Sequence, residues 1–268
     1  MVDASSDRRV WAATARQLSE FVGDLQNAGV YSMSVRSLQH TFKAHGIYPA
    51  RDFPDRVIAE PPDAFFTYHS ASNFIDIQEI VWQTFDFAAG ELRRRRPDLA
   101  DVDLEPMISD GIRLWVDFLF IDQSARDLRD ELDALPGLLG DARAHFVLGA
   151  VPLTRAWCAY EIALFNRRCA ADDAPPLTSF IAPSRSLYHG WEHAETSEPE
   201  DKEFIAERIA ADFPGGFDGF NHIMNQANAT AVLSLTEPSV FYSPAALDAL
   251  GEAAEAWYVR TFPGASAG

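Results

Sequence analysis

Apolar residues recur with a helical period from Arg8 to Ala28, at Trp11, Ala15, Leu18, Val22 and Leu25, until Gly29 ends the pattern. A second, shorter helix is predicted from Val35 to His45, stopped by Gly46. Between Pro49 and Pro62, prolines and charges replace the periodicity, as in a connection, and the main domain is expected to begin at its end. Ala64-Phe65-Phe66-Thr67-Tyr68 is a short apolar run between Pro-Pro-Asp and the polar His69-Ser70-Ala71-Ser72-Asn73, which reads as a buried strand entering a loop. The next helix carries Ile77, Ile80, Val81, Phe85 and Phe87 and closes at Arg93 to Arg96, charges that suit the negative end of a helix dipole. Ile112 to Ile121 is apolar at nearly every position, as in a strand covered on both faces.

The alternation continues with a helix from Ala125 to about Leu139, a strand at His145–Leu148, a helix from Leu153 to Arg168 and a strand at Leu177–Ile181. Ala231–Leu235 reads as a fifth strand, Pro183 to Asp201 as an irregular insertion, and Pro244 to Phe262 as a closing helix with proline in its first turn. Strand and helix in alternation define an α/β class with a mostly parallel sheet flanked by helices, in flavodoxin-like layers. Residues 1–60 are then an N-terminal helical appendage and linker, and 61–268 the α/β domain with its helical extension.

With 268 residues and 47% hydrophobic content the chain can bury a full core. A formal charge of -18 repels phosphate backbones and anionic lipid, which argues against nucleic acid and membrane surfaces as partners. No apolar run approaches the roughly 20 residues needed to cross a bilayer, so a cytoplasmic location is expected. Cys158 and Cys169 fall in one predicted helix, and the seven histidines are scattered, so neither a disulfide framework nor a metal site is expected.

In an open parallel sheet, ligands bind beyond the carboxyl ends of the strands. Tyr68, His69, Ser70, Asp122, Gln123 and the segment from Val151 to Glu161 occupy such positions. Thr154 is placed to cap the helix that follows. Glu161 then lies about two turns in, one turn beyond Trp157 on the same face. Its neighbours three and four residues away are Trp157, Cys158, Leu164 and Phe165, so nothing local neutralises it. A carboxylate among apolar groups costs several kcal/mol unless it lines a wet cleft or pairs through space, and Arg155 or Arg168 offers the ion-pair alternative. Asp117, inside the apolar run, reads either as an acceptor for loop N–H groups or as a pocket wall near Glu161. Ser70 has no convincing triad with its neighbour His69.

Trp157-Cys158-Ala159-Tyr160-Glu161 resembles the WxxxE pattern of Toll/interleukin-1 receptor (TIR) domains, and Arg155-Ala156-Trp157-Cys158 the Ser-x-Trp-Cys-x-x-Glu-Leu form of plant members. Phe65 to Asn73 is similar to their first strand and loop. Trp115-Val116-Asp117-Phe118-Leu119-Phe120-Ile121-Asp122-Gln123 is closer to the Trp-Ile-Asp-x-x-Cys-Ile-Asn/Asp-Gln signature of fungal heterokaryon-incompatibility domains, with Phe120 in place of the cysteine. The resemblance covers roughly residues 62 to 182. It implies NAD cleavage at the nicotinamide–ribose bond, with Glu161 as the catalytic residue and NAD as substrate rather than cofactor. Tyr68, His69, Ser70, Asp117, Asp122 and Trp157 are the expected substrate-binding residues. The same resemblance implies self-association and a role in defence or cell-death signalling. A non-catalytic assembly module and a nucleoside deoxyribosyltransferase-like enzyme are the alternatives.

Overall fold

The computed structural model describes residues 12–29, 34–58, 60–100, 102–121, 133–148, 152–171, 178–181, 187–197, 199–236 and 243–262. The strands are β1 (Ala13–Thr14), β2 (Ala64–Tyr68), β3 (Arg113–Trp115), β4 (Ala144–Leu148) and β5 (Thr178–Ile181). They form one sheet in the order β1-β3-β2-β4-β5, in which β1 runs antiparallel to β3 while the β2–β3 and β4–β5 pairs are parallel. The α/β class with a mostly parallel sheet is therefore the observed one. The chain forms two compact units, the first from Met1–Phe65, Ser70–Arg143 and Leu247–Gly268, the second from Phe66–His69 and Ala144–Ala246.

In the first unit, α1 (Ala15–Asn27) starts later than the apolar period suggests. Thr14 and Gln17 form a capping box, the Gln17 N–H donating to the Thr14 hydroxyl (3.2 Å) and the Thr14 N–H to Gln17 Oε1 (2.9 Å). Ala13 and Thr14 are extended because they pair with Leu114 and Arg113, a tertiary contact that periodicity does not register. The second helix, α2 (Val35–His45), has the expected bounds: Ser34 caps it and Gly46, at φ 64°, ends it in the left-handed conformation that glycine adopts without steric cost. Phe21 of α1 packs against Phe42, Phe53 and Phe118, and Trp115 stacks between Phe65 (4.5 Å) and Phe120 (6.1 Å). The Pro49–Pro62 connection contains two short helical turns, α3 (Pro49–Asp52) and a 3-10 turn at Pro54–Arg56.

The starts of the parallel strands are fixed by Asp63, which is buried. Its carboxylate accepts from Arg113 Nε (2.8 Å), Nη2 (2.7 Å) and the Arg113 backbone N–H (3.0 Å). Its backbone N–H donates to the Arg113 carbonyl (2.8 Å), and its own carbonyl accepts from the N–H of Arg143, the residue before β4 (2.9 Å). Arg113 also pairs with Glu60 at 2.6 Å.

The apolar run expected as one strand from Ile112 to Ile121 is divided. Only Arg113–Trp115 is extended; α6 (Asp117–Phe120) is a single helical turn closed by the Ile121 N–H on the Asp117 carbonyl (2.8 Å). A continuously apolar segment suits a buried turn of helix as well as a buried strand, so periodicity does not separate them. Of the helix expected from Ala125, residues 125–132 lie outside the described residues, and α7 (Leu135–Asp141) is its described end. The long helix α4 (Phe74–Arg95) is followed by α5 (Glu105–Gly111). At its end, Arg94 and Arg95 pair with Asp248, and Arg95 also with Glu252 and Glu255, on the closing helix α11 (Pro244–Thr261), while Arg96 lies over the Tyr258 ring. The arginine run thus binds an acidic helix face, beyond its fit to the dipole.

In the second unit, β4 and β5 pair in register from His145↔Thr178 to Leu148↔Ile181, and α8 (Ala156–Ala171) packs on them. A 3-10 turn at Pro152–Thr154 precedes α8, so the helix begins two residues beyond Thr154, the expected cap. The fifth strand expected at Ala231–Leu235 is instead the end of α10 (Phe217–Thr236). Phe220, Ile223, Met224, Ala227, Ala231 and Ser234 are buried at helical spacing, and that longer period overrides the short apolar run. The irregular insertion after Pro183 ends at α9 (Pro199–Asp212), a helix missed in the sequence.

Replacing Asp63 with Asn leaves Arg113 with a single partial counter-charge and is expected to destabilise the protein by about 3 kcal/mol. Urea denaturation of Asp63→Asn against wild type measures this. A change below about 0.5 kcal/mol, the range of ordinary surface substitutions, would remove the pair as a structural lock.

Candidate functional site

Glu161 lies in α8, whose buried Ala156, Ala159, Ile162, Ala163 and Phe165 pack in the second unit. The Glu161 side chain is half-exposed and meets the carboxyl-terminal half of β2, where the Thr67 hydroxyl donates to its Oε2 at 2.6 Å. Alternation along β2 puts Thr67 on the face opposite Phe66 and Tyr68. Phe66 stacks on Phe146 of β4 at 5.3 Å, so His145, the neighbour of Phe146, shares the Thr67 face. His145 is fully buried; its Nε2 is 2.8 Å from Thr67 Oγ1 and its Nδ1 3.3 Å from the hydroxyl of Thr178, its register partner on β5. Thr178 donates to Asn166 Oδ1 of α8 (3.1 Å), and Asn166 Nδ2 to the Ile162 carbonyl (2.9 Å). Glu161 therefore stands at the half-exposed end of a buried polar chain running through Thr67, His145, Thr178 and Asn166 across three strands.

None of the four inner members was among the expected site residues. Their common signal is a polar residue in an otherwise apolar strand or helix: Thr67 in Ala-Phe-Phe-Thr-Tyr, His145 in Ala-His-Phe-Val-Leu, Thr178 at the head of Thr-Ser-Phe-Ile. Such positions need hydrogen-bond partners once buried, and here they satisfy one another.

The other expected residues are distributed unevenly. Tyr68 is buried, and its carbonyl accepts a weak bond from Cys158 Sγ of α8 (3.4 Å). His69 follows it, half-exposed, in the same unit. Trp157 packs against α9, donating from Nε1 to Asp201 (3.1 Å) with Phe204 at 6.2 Å. Ser70 belongs to the first unit, where its hydroxyl accepts from Arg36 Nε (3.3 Å) and Nη2 (3.2 Å). Asp122 lies outside the described residues, as do the side chains of Arg168 and Cys169. Arg155, offered as an ion-pair partner for Glu161, instead meets Glu195 (3.5 Å) and Ser197 (2.8 Å).

Asp117 is also in the first unit, at the start of α6 rather than inside a strand. Gln39 Nε2 donates to its Oδ2 (3.2 Å), and its buried Oδ1 has no hydrogen-bond partner among the described residues. Burial pushes its carboxyl up to about 7, only partly offset by the bonds from the Phe118 backbone and Gln39. Among the described residues, no group of three or more His, Cys, Asp or Glu side chains is placed to hold a metal, and no helix is long and apolar enough to cross a membrane.

No family model matches the chain, and comparison with curated proteins and with solved structures finds no match.

The raised Asp117 carboxyl has a definite pH signature. Its folded-state pKa lies above the ordinary carboxylate value, so the folded form binds the proton more tightly than the unfolded one. Its contribution to stability is full below pH about 4 and is lost as pH rises through about 7. Asp117→Asn is therefore expected to gain on wild type between those limits and to hold a constant advantage above them. Thermal melts of both proteins across that range decide it; parallel pH curves would refute the raised carboxyl.

Proposed function

We propose that this chain is a TIR-like NAD glycohydrolase or ADP-ribosyl cyclase with Glu161 as its catalytic carboxylate. The supporting observation is the 2.6 Å bond from Thr67, which fixes a half-exposed carboxyl group beside the carboxyl-terminal part of a central parallel strand. That is where open α/β sheets bind ligands. Nicotinamide in NAD is a cationic leaving group and needs no general acid, unlike the sugar oxygen that ordinary glycosidases protonate. As the bond to it breaks, positive charge develops on the ribose, and a fixed carboxylate nearby stabilises that state. One carboxylate therefore suffices. The reading includes a cytoplasmic setting, use in defence or cell-death signalling, and self-association, for which exposed Val232, Leu233 and Leu235 on α10 offer apolar surface.

A second reading, the non-catalytic assembly module, is favoured by the internal contacts of Trp157 and Ser70. The bonds to Asp201 and from Arg36 engage polar groups expected to face substrate.

Purified protein incubated with NAD over a range of protein concentrations is expected to release nicotinamide, and Glu161→Gln to lower the rate by about 100-fold or more. No release at any concentration favours the assembly module. Free base from nucleosides with NAD left intact favours the deoxyribosyltransferase-like alternative.

A further inference from the structure

The first unit holds a cavity that shares no residue with the polar chain at Glu161. The end of α5, the first residue of β3, the connection before β2 and the last turn of α11 enclose about 330 Å³, toward the small end of the range for small-molecule pockets. Trp257 and Arg260 are spaced i, i+3, so one face of α11 presents both to the cavity. The half-exposed indole of Trp257 is seated on Gly111: a Cβ there would stand 2.7 Å from Trp257 Cγ, so the ring keeps its place only against a residue without a side chain. The charged groups on the wall are Glu60, Asp110, Arg113 and Arg260. Arg113 is held by Asp63 and Glu60, and Asp110 by a forked contact from Arg16. Arg260 makes no hydrogen bond or ion pair among the described residues. Glu60 gives only its Oε2 to Arg113, at 2.6 Å, and its Oε1 has no partner among the described residues.

We infer that this cavity binds a small zwitterion, a free α-amino acid with an aromatic side chain, Arg260 taking its carboxylate, Glu60 its ammonium group and Trp257 its ring. A guanidinium pairs with a carboxylate through two parallel bonds, and an indole offers a flat apolar surface to an aromatic ring. A simple anion fits less well. The chain carries a formal charge of -18, and Glu60 and Asp110 stand on the same wall, so an anion meets a repulsion that a ligand's own ammonium group offsets. A phosphate ester, with its second negative charge, is disfavoured further. A simple amine would answer Glu60 and leave Arg260 facing its charge with nothing to pair. A lone exposed arginine is an ordinary surface residue; here an unpaired cation, an acid with one open oxygen and an indole line one cavity. The inference does not depend on the NAD reading.

The test is titration calorimetry of the full-length protein with L-phenylalanine, beside phenylpropionate and phenethylamine, which lack the ammonium and the carboxylate group respectively. L-Phenylalanine is expected to bind saturably, and each of the other two about 10-fold more weakly. Arg260→Ala, at an exposed position, is expected to weaken L-phenylalanine about 10-fold while leaving phenethylamine unchanged. Glu60→Gln, also at an exposed position, is expected to weaken L-phenylalanine while leaving phenylpropionate unchanged. Trp257→Leu is expected to reduce the preference for L-phenylalanine over L-alanine. No binding of L-phenylalanine up to its solubility limit overturns the proposal. Phenylpropionate bound as tightly as L-phenylalanine would mean anion capture by Arg260 and overturns the zwitterion. An affinity for L-phenylalanine unchanged in Arg260→Ala would put the ligand elsewhere and overturns the site.

Discussion

The arrangement depends first on the buried contact between Asp63 and Arg113. A carboxylate nearly without solvent is tolerable only if its lone pairs are filled, and Asp63 is filled by a forked guanidinium and a backbone N–H from one partner residue. The bonds fall on the residue before β2 and the first residue of β3, and the Asp63 carbonyl takes the N–H of the residue before β4. Three strands therefore receive their starting points from one side chain and its backbone. A strand paired one residue out of place would turn its apolar set to the wrong face, so a fixed start is equivalent to a fixed face.

That constraint is what lets polar residues be placed inside apolar strands. Thr67 lies four residues beyond Asp63, on a strand whose origin is set. His145 and Thr178 are opposed by the β4–β5 register, and a slip of one residue would bring Ser179 to His145 with its side chain on the opposite face. Ser179 already has work there, its hydroxyl accepting the Ser243 N–H just before α11 (2.9 Å). Each face thus has its own polar satisfaction, and the two are not interchangeable.

Much of the fold was legible because its elements bury one periodic face. β2, β4, β5, α2 and α11 fall within a residue or two of where their patterns place them. The departures have separate causes. Ala13 and Thr14 are extended because β3 lies beside them, the run after Trp115 coils because a sequence apolar at nearly every position fits either state, and Ala231–Leu235 is helical because the buried positions extend back to Phe220. At the site, Glu161 was legible as a charge without a local partner. Thr67, His145 and Thr178 were not, since each is one polar letter in an apolar word and acquires meaning only when three strands are laid side by side.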